Sequence, residues 1–146
     1  MTASRAATIA DERQAMKVET FTPENTPTPI GPYSHVARAG QFVTVSGTAG
    51  VDSQTGLMAG PDAYSQARQI IRNFRTMLAA ADSDLAHVLH VQVFLKNVDD
   101  FAEMNRAYAE EFGEHRPART VIVVADLPKR DALMTMNLQA VTIQAQ

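Results

Sequence analysis

The chain has no cysteine and no tryptophan among its 146 residues. Missing thiols exclude a disulfide framework, a thiolate metal site and a cysteine nucleophile, and they agree with a reducing cytoplasm. No apolar run approaches the roughly 20 residues that span a bilayer, and the opening "MTASRAATIADERQA" lacks the apolar centre of a secretory signal. A strong charge of one sign is missing too. The formal net charge is -3 with 20% charged residues, which advertises neither a nucleic-acid nor a membrane partner. The P-loop, the glycine-rich dinucleotide fingerprint and the nucleophile elbow are all absent. What is present is an ordinary globular composition, 45% hydrophobic, in a length that suits one domain able to bury its own core.

Composition shifts at Met16, so residues 1–15 read as an N-terminal extension and 16–146 as the domain. "MKVETF" begins an alternating pattern and offers a short strand. Pro23, Pro27, Pro29 and Pro32 then forbid a helix and impose an extended, turn-rich segment. "YSHVARA" and "QFVTVSGTA" read as two strands joined by a tight turn at Gly40. From Pro61 to Ala81 the period becomes helical: Ala67, Ile70, Ile71, Phe74, Met77 and Leu78 form one face, with Pro61 in the first turn. "AHVLHVQVFLKNV" is a valine-rich third main strand. A second helix opens at "DDFAEMNRAYAEEFG", where Asp100 and Glu103 have capping-box spacing, Phe101, Met104, Tyr108 and Phe112 make the apolar stripe, and Gly113 ends it. "RTVIVVA" and "ALMTMNLQAVTI" close the chain as strands; in the last, Met134, Met136, Leu138 and Ala140 share one face and Asn137, Gln139 and Val141 the other. The order is β-β-α-β-α-β-β, plus the short first strand, and predicts an α+β fold: a mixed β-sheet with two helices packed on one face.

Most chemistry-bearing residues have a plain structural explanation. His87 and His90 are three apart, which on a strand sends them to opposite faces and argues against a metal pair. Ser34 and His35 would diverge on a strand, and no third member of a triad accompanies them. Arg68, Arg72 and Arg75 form a stripe that on an acidic protein reads as a solvated helix face before it reads as a phosphate contact. Arg119 differs in kind. It shares its strand face with Val121 and Val123, so its guanidinium must snorkel, pair with an acid or bind a ligand, and a structural ion pair and a ligand anchor stay equally open. As an anchor it suits a small carboxylate, which its fork meets with two parallel charge-assisted hydrogen bonds.

"IGPYSHVARAGQFVTVSG", "YSQARQIIRNFRTMLAAA", "VFLKNVDDFAEMNRAYAEEF" and "RPARTVIVVADLP", in this order and spacing, closely resemble the RidA (YjgF) family over roughly residues 17–143. The resemblance implies a chorismate-mutase-like fold assembled as a homotrimeric barrel, with ligand clefts between subunits. It implies hydrolysis of reactive enamines and imines to 2-oxo acids and ammonia without metal or cofactor. By the same resemblance Arg119 clamps the substrate carboxylate, Tyr33 and Gly31 of "IGPYS" and Ser46 and Gly47 of "VSG" line the cleft, and Val121 is cleft wall.

One departure bears on catalysis. Where the family carries a glutamate in a Glu-Ala pair to position water and move its proton, this chain reads "QA", which puts Gln139 in that place with Asn137 as its neighbour. The stretch between Leu127 and this strand is also about two residues longer than in the family. An amide aims a water but cannot take its proton, and losing a general acid or base costs about 10²- to 10⁴-fold in rate. His115, Tyr33 and Asp126 are the substitute bases that the sequence offers. The expected function is therefore a cytoplasmic, cofactor-free deaminase of small or dicarboxylic 2-amino-enoates, 2-aminomuconate among them, with a small carboxylate as ligand and no membrane partner. A non-catalytic module binding 2-oxo acids is the main rival, and a ribonuclease or translation inhibitor, resting on the arginine stripe alone, is the third.

Overall fold

The computed structural model describes residues 16–144. Six strands, β1 (Val18–Phe21), β2 (Val36–Ala39), β3 (Phe42–Thr48), β4 (Val88–Leu95), β5 (Ala118–Val123) and β6 (Met134–Val141), form one sheet in the order β1-β2-β3-β6-β4-β5. Every neighbouring pair is antiparallel except β4 and β5. Helices α1 (Ala63–Ala80) and α2 (Phe101–Phe112) supply the crossovers before and after β4, which is what a parallel neighbour demands.

The core lies between the helices and one face of the sheet. Val43 and Val45 of β3, Val91, Val93 and Leu95 of β4, and Met134, Met136 and Leu138 of β6 are buried against Ile70, Ile71, Phe74, Met77, Met104 and Ala107 of the helices. Burying each of the large side chains stabilises the fold by about 1.5–3 kcal/mol. The other face carries Phe42 and Thr44, then Thr135, Asn137 and Gln139, then His90, Gln92 and Phe94, then Thr120 and Ile122, and all of these are half-buried or exposed. One face is thus dry, and the other is left open.

Local chemistry sets the element ends. α1 starts two residues later than expected, at Ala63: Asp62 is its N-cap, accepting from the Ser65 N–H at 2.9 Å, and Pro61 stands outside the helix. It ends in a Schellman turn, with Ser83 N–H donating to the Leu78 carbonyl at 2.9 Å, Asp82 N–H to that of Ala79 at 3.2 Å, and Asp82 at φ 58°. The Asp82 carboxylate accepts from Arg38 of β2 at 2.8 Å, tying this turn to the sheet. The capping box at α2 does not form. A 3₁₀ turn at Val98–Asp100 leads in, capped by Asn97 accepting from Asp99 N–H at 2.9 Å, and Glu103 pairs with Arg106 instead at 2.7 Å. Phe101 drops out of the apolar stripe at 41% exposure. Gly113 ends α2 at φ 69° as its position predicts. His87 lies in a second 3₁₀ turn, Leu85–His87, beside Asp84 at 2.6 Å, while His90 reaches Thr120 on the open face at 3.1 Å.

Two irregularities shape the site. β3 carries an extra residue between Val45 and Thr48, opposite Leu138 and Met136, and such a bulge re-aims the Ser46 side chain and the backbone at Gly47. The β5–β6 connection is held by Gln66, which is fully buried on α1. Its amide donates to the Gly60 and Asp131 carbonyls at 3.0 Å each and accepts from Leu133 N–H at 2.8 Å.

Candidate active site in two halves

Arg119 sits on edge strand β5, paired across to Val91, which puts it on the helix-covered face. Its guanidinium lies 4.8 Å from the ring centre of Tyr108 and 5.8 Å from that of Phe101, and donates to the Met104 sulfur at 3.9 Å. Among the described residues no carboxylate pairs with it. Of the two readings left open above, the structural ion pair does not form among these residues. Aromatic faces stabilise the cation without consuming its donors, and the weakly accepting thioether takes only one of them. Arg119 lines a hollow of about 420 Å³ with Asn105, Tyr108, Ala109, Arg116 and Pro117. The Tyr108 hydroxyl and the Asn105 side-chain oxygen are buried there without partners. Burial pushes the Tyr108 phenol up to about 12, against the pull of Arg119 and Arg116, so it is neutral at any physiological pH. Val121 follows Arg119 on the same face, half-buried against the core.

A second, larger hollow of about 780 Å³ lies at the β3 bulge. Tyr33, Ser46, Gly47, Thr48, Thr135 and Lys129 line it, and the proline-rich segment from Pro27 to Ile30 forms a wall. That segment is tied down where a ring nitrogen of buried His35 meets the Pro27 carbonyl. The Tyr33 phenol accepts from Ile30 N–H at 3.3 Å, and Tyr33 N–H donates to the Gly31 carbonyl at 2.9 Å, so Gly31 supports the tyrosine through its backbone. Ser46 donates its hydroxyl to Ser34 at 2.6 Å, leaving its lone pairs for a ligand or water.

The structure brings Tyr33, Ser46 and Gly47 together, with Gly31 beside them, and keeps Arg119 and Val121 apart from them. From β3 to β5 there are three strand spacings, about 14 Å, and the two hollows open on different faces. Gln139 belongs to neither hollow. It lies exposed on the open face opposite Thr44 and His90, four residues along β6 from Thr135, about 13 Å away. Thr135 is the β6 residue that lines the large hollow. The substitute bases are no nearer, Tyr33 excepted: a ring nitrogen of His115 meets the Val88 carbonyl at 2.8 Å, and Asp126 accepts from Leu127 N–H at 2.8 Å beside Lys96. Those two contacts hold the Asp126 carboxyl below the usual carboxylate range. Asn105, Tyr108, Arg116, Lys129 and Thr135 are the lining residues that the sequence reading did not single out.

The arginine stripe has a different occupation. Arg68, Arg72 and Arg75 of α1 all converge on Glu111 of α2, at 3.8, 3.4 and 3.5 Å, and Arg75 also donates to the Glu111 carbonyl at 2.8 Å. It is an interhelical clamp. Among the described residues no helix is long and apolar enough to cross a membrane, and no cluster of histidines and carboxylates has the makings of a metal site.

The same architecture occurs in characterised proteins. The family model described as Endoribonuclease L-PSP matches residues 23–142. A RutC family protein of Pyrococcus horikoshii is 46% identical over 114 residues, 78% of this chain and 90% of that one. The 2-iminobutanoate/2-iminopropanoate deaminase of Salmonella typhimurium is 39% identical over 114 residues, covering 76% and 88%. The crystal structure of E. coli TdcF with bound serine superposes with a TM-score of 0.79 at 30% identity, covering 86% of this chain and 99% of that one. With a matched model across strands β2 to β6 and both helices, and relatives of this identity and coverage, the chain belongs to the RidA (YjgF) family.

Proposed function

We propose that the protein is a cofactor-free imine deaminase that hydrolyses small or dicarboxylic 2-imino acids and 2-amino-enoates, 2-aminomuconate among the candidates, to 2-oxo acids and ammonia. The observation that carries the proposal is the split site. A carboxylate-free guanidinium lines one hollow, hydroxyls line the other, and about 14 Å with an intervening sheet keeps them apart in one chain. A second copy, laying its β5 edge against the first copy's large hollow, unites them, and three such contacts close a ring. The open sheet face, with exposed Phe42 and Ile122 among its polar residues, supports a homotrimer built this way.

In that cleft Arg119 holds the carboxylate of the substrate by two charge-assisted hydrogen bonds. An enamine first takes a proton from solvent at C3 and releases one from nitrogen to become the imine. Water held by the Ser46 and Thr135 hydroxyls then adds its oxygen to C2, the C=N electrons move to nitrogen, and one proton passes from the water to nitrogen. The resulting carbinolamine collapses: the hydroxyl proton passes to nitrogen, the C–N bond breaks as the C=O bond forms, and ammonia and a 2-oxo acid depart. No carboxylate lines either hollow, so orientation and the fixed positive charge supply the acceleration. The relative named for 2-iminobutanoate and 2-iminopropanoate deamination, and the neighbour with bound serine, support an α-carboxylate as the common handle.

The same missing carboxylate favours a second reading, a 2-oxo acid binding module without turnover. One assay separates the two. Imines generated in situ by an amino-acid oxidase disappear faster with the protein present if it is a deaminase, and the Arg119→Ala variant abolishes the effect. Unchanged decay across a panel of imino acids, with 2-oxo acids still bound, selects the binding module.

A further inference from the structure

Lys129 is the one Lys, Arg, Asp or Glu among the residues lining the large hollow. It is half-buried, and among the described residues no carboxylate pairs with its ammonium. Its backbone is also fixed. The Lys129 carbonyl accepts from Ala132 N–H at 3.3 Å, and fully buried Gln66 holds Asp131 and Leu133 just beyond it. An unpaired cation on an anchored turn, facing a largely apolar hollow, is a poor structural element and a good anion receptor. The hollow, about 780 Å³, falls in the range that encloses ligands much larger than a three-carbon acid.

We propose that Lys129 is the specificity-determining residue for a second carboxylate on the substrate, so that the cleft prefers dicarboxylic 2-imino and 2-oxo acids. The proposal rests on the two-copy cleft above. Arg119 of one copy takes the α-carboxylate, and Lys129 on the facing wall takes the distal one. Arg116 is the competing cation, because it shares the smaller hollow with Arg119, and the test must separate them.

Calorimetry with 2-oxoglutarate and 2-oxobutanoate does so without requiring turnover. The wild type should bind 2-oxoglutarate about tenfold more tightly, the worth of one partly exposed charge-assisted contact. Lys129→Gln should bring 2-oxoglutarate down to the 2-oxobutanoate level while leaving 2-oxobutanoate within about twofold, Arg116→Gln should preserve the preference, and Arg119→Ala should weaken both acids. Equal wild-type affinities, a preference that survives Lys129→Gln, or one erased by Arg116→Gln overturns the role of Lys129. Failure of both acids to bind the wild type overturns it together with the cleft. The deaminase reading is judged separately, by imine decay, so a wild type that binds with this preference yet leaves imine decay unchanged loses the reaction and keeps Lys129.

Discussion

The two hollows are complementary in chemistry. The smaller presents two guanidiniums, an aromatic wall and neutral Tyr108; the larger presents hydroxyls, a proline-rich wall and a single ammonium. The first has charge to recognise an acid but no hydroxyl exposed to hold water, since that of Tyr108 is buried. The second has hydroxyls to hold water but no fork to grip a carboxylate. In the proposed reading each is half of a hydrolytic site, and the sheet between them explains why one chain would not close the distance.

The largest effect expected from breaking this pairing comes at its charged half. Arg119→Ala removes two hydrogen bonds to a charged group, each worth about 1.5–3 kcal/mol, so binding of any 2-oxo acid should fall by about 10²-fold or more by calorimetry. The hydroxyl half is tested by gain. Thr135→Glu places a carboxylate in the large hollow and should raise imine hydrolysis by about 10²-fold, whereas Gln139→Glu, outside it, should leave the rate within about twofold. A gain from Gln139→Glu alone would relocate the water along β6, out of the large hollow to Gln139.

Smaller effects concern how each half is held. Gln66→Leu orphans the Gly60 and Asp131 carbonyls and the Leu133 N–H, at about 1–3 kcal/mol for each group that water cannot reach. Denaturant unfolding should show a loss of roughly 3 kcal/mol, and 2-oxo acid affinity should fall with the loosened turn. Tyr108→Phe is the mildest. Burial pushes the folded Tyr108 phenol up to about 12, from the 10.0 of an ordinary tyrosine. Its contribution is therefore intact below pH 10 and is lost as pH rises from 10 to about 12, where the unfolded chain ionises first. The phenylalanine variant should match the wild type at pH 7 and lose less stability across that alkaline window. An identical alkaline loss in both proteins would mean that the phenol is not buried as described.

Much of the fold is legible in the sequence because alternation and the helical period report burial directly. Met134, Met136, Leu138 and Ala140 are buried as their spacing predicts, and Ile70, Ile71, Phe74, Met77 and Leu78 form the face of α1. Competition at element ends is less legible: Asp62 rather than Pro61 begins α1, and Asn97 with a 3₁₀ turn displaces the Asp100–Glu103 box. Strand parity showed that Arg119 shares a face with valines. Parity alone does not show that β6 and β4 intervene between β5 and β3, which is what separates Arg119 from Ser46. The open face of β6 was likewise readable as Asn137, Gln139 and Val141, but Thr135, two residues before Asn137 on the same parity, is the one that lines the hollow. That placement goes with the turn through Asp131, at φ 66°, and the Gln66 clamp, neither of which has a local sequence signature.

Subunit mixing tests the central claim, that the site exists only between two copies. A Cβ added at Gly47 meets nothing within 4 Å, so Gly47→Trp should fold with its ring filling the large hollow, and Arg119→Ala disables the other half. Each variant alone should fail to bind 2-oxobutanoate. After the two are unfolded and refolded together in equal amounts, about a quarter of the clefts should combine an intact arginine with an intact hollow and bind the acid with wild-type affinity. Mixed oligomers that still bind nothing would contradict the account and place both halves of the site in a single chain.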